Sequence, residues 1–87
     1  MQANVDVTFK NGLGTLVAKL FREGNKVDEG SVDITGRITF IDAKSGDAIS
    51  INGACAGNTE IDIDVDTNPP TPKHFPEGNI NFGFDVL

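Results

Sequence analysis

The chain has 87 residues and a formal net charge of −6, which disfavours nucleic acid and anionic membrane as partners, because either would be repelled before contact. That length suits one domain over residues 1–87, near the lower end of the range in which a single hydrophobic core suffices. Cys55 is the one cysteine, so an intramolecular disulfide is excluded, and no apolar run approaches the roughly 18 residues of a membrane-spanning helix.

Ten glycines, six phenylalanines and neither Trp nor Tyr favour an all-β chain with many tight turns. The opening Met-Gln-Ala-Asn-Val shows no basic region before an apolar stretch, so no signal peptide is expected. Val5, Val7 and Phe9 alternate with Asp6, Thr8 and Lys10, the pattern of a half-buried strand. Asn11-Gly12-Leu13-Gly14 is rich in turn formers and joins it to the next strand. From Thr15 to Arg22, Leu16, Ala18 and Leu20 form one face and Val17, Lys19 and Phe21 the other, so this strand is read as covered in part on both sides. A helix is the alternative, since the run holds good helix formers, but it is short and closed by Glu23-Gly24-Asn25.

Lys26 to Val32 reads as a short edge strand with Val27 and Val32 touching the core, its Lys and Glu discouraging pairing with other molecules. Asp33 to Asn52 then gives a turn, a strand, a second turn and a strand. Ile38 with Phe40, and Ile49 with Ile51, fall at period two, and Asp33, Asp42 and Asp47 are assigned to the turns. A loop is expected over Gly53 to Asn58. Thr59 to Asp66 follows, with Ile61, Ile63 and Val65 inward and Glu60, Asp62, Asp64 and Asp66 outward. Thr67 to Gly78 holds all four prolines, which remove backbone donors, so it reads as a long crossing loop and not a sheet element. The last strand, Asn79 to Leu87, buries Ile80, Phe82, Phe84 and Val86. The expected fold is a small antiparallel β-sandwich of about seven strands.

The succession Ala18-x-Leu20, Gly24, Glu29-Gly30, Asp33-x-x-Gly36-x-Ile38-x-Phe40 and Gly46-Asp47-x-Ile49-x-Ile51 resembles the prealbumin-like (transthyretin-type) sandwiches. These immunoglobulin-like folds include carboxypeptidase regulatory-like domains and the Cna B-type repeats of bacterial surface proteins. The chain departs from that pattern in having Asp47-Ala48 where an aromatic residue is usual, and in its proline-rich segment. The resemblance implies a non-catalytic module of a cell-surface or secreted protein. It also raises the internal isopeptide bond of such repeats, with Lys10, Glu60 or Asp62, and Asn79 or Asn81 as candidate pieces. Alternation sets Lys10 and both asparagines on outward faces, and the reaction needs a desolvated lysine, so no such bond is expected.

The row Glu60, Asp62, Asp64, Asp66 is the candidate metal site. Same-side strand residues stand about 6.5 to 7 Å apart, so two carboxylates with a loop carbonyl could hold calcium. As the start of an EF-hand loop the row fails, with Thr67 at the sixth position and Lys73 at the twelfth. A solvated, solubilising face is the stronger reading, and no cofactor is expected. His74 lacks a second zinc ligand at useful spacing. Cys55 lies among small residues with no activating group, so a Cys55–His74 nucleophile pair is not expected. Ser45 and Ser50 lack a base, and no enzyme activity is expected. Glycan sites present flat aromatic rings, and only Phe21 and Phe75 are left outside inward rows, with Phe75 read as pinning the proline-rich segment to the core.

The function expected is a structural or protein-interaction module whose contact surfaces are the proline-rich segment, at Lys73, His74 and Phe75, and the acidic strand face, with a protein partner or self-association. The alternatives are a calcium- or glycan-binding module, and a subunit of a pilus, phage-tail or capsid assembly paired through its terminal strands.

Overall fold

Period-two alternation becomes two facing layers in the computed structural model, which describes residues Met1–Leu87. In chain order the strands are β1 (Ala3–Phe9), β2 (Gly14–Arg22), β3 (Asn25–Val32), β4 (Gly36–Phe40), β5 (Ala48–Cys55), β6 (Thr59–Ile63), β7 (Thr67–Asn68), β8 (Lys73–Phe75) and β9 (Gly78–Val86). One sheet has the order β4-β1-β6-β8 and the other β3-β2-β5-β9-β7, with every pairing antiparallel. The expected all-β sandwich is therefore present, with nine strands in place of seven. No helix is long and apolar enough to cross a membrane.

Each sheet turns one row of side chains to the other. Ala3, Val5, Val7 and Phe9 of β1, Ile38 and Phe40 of β4, and Ile61 and Ile63 of β6 face Leu16, Ala18 and Leu20 of β2, Ile49 and Ile51 of β5, and Ile80, Phe84 and Val86 of β9; all are buried. Burying each large aliphatic or aromatic side chain is worth about 1.5 to 3 kcal/mol. The helical alternative for Thr15 to Arg22 fails because Leu16, Ala18 and Leu20 are needed on one strand face, while Val17, Lys19 and Phe21 are half-buried on the other.

Only β2 and β3 form a hairpin of consecutive strands. Their two-residue link, Glu23-Gly24, has positive φ at both positions, 53° and 81°, the backbone twist that matches paired strands. Every other link carries the chain from one sheet to the other. The turn after β1 thus delivers the chain across the core, and β4 and β5 lie in different sheets instead of pairing.

Three expectations need correction. Val27 does not touch the core: the β2–β3 register shifts between Leu20 and Phe21, which pair with Asp28 and Lys26, so Val27 is the extra residue of a bulge and is 45% exposed. The bulge re-aims its side chain outward, while Val32 does pack against the core. The loop expected at Gly53 is strand, since β5 runs on to Cys55. Gly53 is there because β2 passes so close that a Cβ would strike the Thr15 carbonyl oxygen and lie 2.9 Å from Leu16 Cα. Finally, the proline-rich segment is a crossing between sheets, but it also gives each sheet a short edge strand. Thr67 and Asn68 pair with Val86 and Asp85, and Lys73-His74-Phe75 pairs with Thr59, Glu60 and Ile61. All four prolines lie outside the paired residues, so no ladder position needs a donor that proline lacks. The Asn68–Pro69 and Thr71–Pro72 bonds are cis.

Candidate functional site

Lys73, His74 and Phe75 form β8, and alternation splits them between two surfaces. His74 stands opposite Glu60 on the outer face of its sheet, with His74 Nε2 2.8 Å from Glu60 Oε1. Lys10 Nζ reaches the same oxygen at 3.3 Å. Lys10 first, then His74, hold the Glu60 carboxyl below its ordinary range by hydrogen bonding to its charged form, against a smaller opposing effect of burial. Beside this trio lies a shallow cavity of about 270 Å³ lined by Lys10, Asn58, His74, Phe75 and Pro76.

Lys73 and Phe75 point the other way, into the gap between β8 and β9. The Phe75 ring meets Phe82 edge-on at 5.7 Å between centroids, and Phe82 meets Phe84 at 5.1 Å. Lys73 Nζ lies 4.8 Å from the Phe82 ring centroid and 5.9 Å from that of Phe75, within cation–π range. Phe75 therefore pins the proline-rich segment, as expected from the sequence. Lys73 has no carboxylate within salt-bridge distance, and both it and the Phe75 and Phe82 side chains are only half-buried. Phe82, read from the sequence as a core residue, is thus also part of this surface. Its role was hidden because β8 and β9 belong to different sheets and meet only through side chains across the open side of the sandwich.

The four acids of the candidate metal site do not stay in one row. β6 ends at Ile63, so Asp64 and Asp66 belong to the crossing that follows. Glu60 is taken by Lys10 and His74. Asp62 accepts from the Thr71 hydroxyl at 3.2 Å. Asp64 accepts from the Asn4 main-chain N–H at 2.8 Å and from Asn4 Nδ2 at 2.7 Å, and the main-chain bond is the leading cause of its lowered pKa. The Asp66 carbonyl, not its carboxylate, accepts from Leu87 N at 3.0 Å. No three His, Cys, Asp or Glu side chains come together in metal-holding geometry.

Nor are the pieces of nucleophilic or isopeptide chemistry assembled. The Cys55 thiol is buried and faces the carbonyls of Pro76 and Gly78 at 3.5 and 3.8 Å, while His74 is occupied by Glu60 on the outer surface. Asn79 and Asn81 lie on β9 in the sheet opposite Lys10. Phe21, the other ring left for glycan contact, is half-buried on the outer face of β2. No family model matches this chain, and neither does any curated protein or solved structure.

Proposed function

We propose that the chain is a non-catalytic protein-interaction module, a prealbumin-like accessory domain of a surface or secreted protein, that contacts its partner through Lys73, His74, Phe75 and the adjoining Phe82. The observation that carries this reading is Lys73, an ammonium group seated over two half-buried rings with no carboxylate of its own. Interfaces are built from such aromatic anchors beside a charge that a partner can neutralise, and of the acidic side chains that suggested an ion, those of Glu60, Asp62 and Asp64 are engaged separately.

Site-specific photo-cross-linking tests it. A photoreactive residue at position 74, with the full chain expressed in its native host, should give a discrete protein adduct. The same residue at exposed Ser31, on the distant β3 edge, should give none, and Lys73→Glu should abolish the adduct at 74. Equal labelling from both positions would overturn the proposal.

A further inference from the structure

Resting on that reading of the Lys73–Phe75 surface, we infer that the partner binds as an extended strand added to the free edge of β9 at Asn79–Gly83. Val86 directs both its N–H and its C=O toward the segment leading into β5, bonding Asp47 O at 2.8 Å and Gly46 N at 2.7 Å, while Leu87 N points the opposite way, to Asp66 O. Main-chain groups alternate sides along an antiparallel strand, so Ile80, Phe82 and Phe84 bond β5, and Asn79, Asn81 and Gly83 present N–H and C=O away from it. β7 covers that outer edge only at Asp85 and Val86. Beyond it, the outward groups of Gly83, Asn81 and Asn79 meet no strand, and all three residues are exposed.

The contrast with the other edges carries the argument. β3 is bulged at Val27 and carries Lys26, Asp28 and Glu29. β4 is five residues with Arg37 turned out. β7 is two residues followed by Pro69 and Pro70, and β8 is three residues between Pro72 and Pro76. These are the devices that keep an edge from pairing: short strands, charges, bulges and prolines. Asn79 to Gly83 lies within the nine-residue β9 and has no charge, bulge or proline.

The occupant follows from what lies beside the edge. An added strand gains main-chain bonds from Asn79, Asn81 and Gly83, and its side chains on the core-facing side settle against Phe82, Phe75 and Lys73. The site therefore fits a segment with alternating apolar residues and a carboxylate among them for Lys73. A second copy of this chain fits less well, because symmetric pairing about Asn81 would bring the two Lys73 groups toward each other and join two chains of net charge −6.

The experiment pans a displayed library of random octapeptides against the full chain and follows the enriched sequence by amide hydrogen exchange. The free protein should exchange Asn79, Asn81 and Gly83 fast and Ile80, Phe82 and Phe84 slowly; slow exchange at all six would overturn the inference. Enriched peptides should alternate apolar residues with an acid and slow exchange at the three edge amides. Lys73→Ala should weaken them about threefold. Asn81→Pro removes an N–H that bonds nothing within the chain and should weaken binding at least about tenfold; the wild-type exchange pattern keeps the test decisive if that variant folds poorly. No enriched peptide, protection at another edge, or concentration-dependent dimers protecting the same amides without peptide would each overturn strand addition. Adducts at position 74 that persist in Asn81→Pro would do so too while leaving the interaction surface standing, and absence of any adduct would remove both.

Discussion

Asp47 accepts two hydrogen bonds from Arg22, at 2.9 Å from Nε and 2.8 Å from Nη2, although 25 residues separate them in the chain. The pair extends the β2–β5 register by one step beyond Phe21 and Ala48. Asp47 is 1% exposed and also accepts from Lys44 N at 2.8 Å, so one carboxylate closes the turn and ties it to β2. The Arg22 hydrogen bond is the leading cause of its lowered pKa, and desolvation opposes it.

Two outcomes follow for Asp47. Replacement by Ala should cost about 2 kcal/mol, the usual worth of hydrogen bonds to a charged group, measured by urea unfolding at neutral pH. Because its folded pKa is depressed, its contribution is complete above the unfolded carboxylate pKa of about 3.9 and is lost as pH falls through the lower folded value. Asp47→Asn should therefore flatten the stability profile on the acid side of pH 4, and an unchanged slope there would contradict the assignment.

Glu60 gives a directional test. Lys10 is the leading cause of its lowered pKa, so Lys10→Ala should raise the Glu60 pKa toward its ordinary value in a carboxyl NMR titration. Its share of stability, present above the unfolded pKa, would then fade at a higher pH than in the parent chain. His74→Ala should move the same titration by less.

Thr59 is fully buried, and its hydroxyl has no hydrogen-bond partner within the protein. Thr59→Val keeps the shape and removes that polar group, so it should raise stability by about 1 kcal/mol. Chemical denaturation would show this as a higher midpoint at constant slope.

At Gly53 the close passage of β2 leaves no room for a side chain, since the atoms in the way are main chain and cannot rotate aside. Gly53→Ala should destabilise the fold by about 3 kcal/mol through overpacking. Gly83→Ala, where the nearest atom is Ile49 O at 3.9 Å, should be tolerated, and equal losses at both sites would contradict the register of β2 on β5.

Read alone, the sequence determined most of the residues that face the core. The inward rows Val5-Val7-Phe9, Leu16-Ala18-Leu20, Ile38-Phe40, Ile49-Ile51, Ile61-Ile63 and Ile80-Phe82-Phe84-Val86 are written in it, because alternation along a strand is local and one slip would invert every side chain. It also set Lys73, His74 and Phe75 apart between Pro72 and Pro76. Which strands pair was decided only by the tertiary structure. β1 bonds to β4 and β6, and β5 to β2 and β9, partners far apart in the chain whose register no local pattern encodes. For that reason Arg22 on Asp47, Asn4 on Asp64 and Lys73 over Phe82 were not legible beforehand. The same non-local pairing dispersed the acidic row: once Ile63 ended its strand, Asp64 was drawn to the Asn4 main chain and a periodic face became separate contacts.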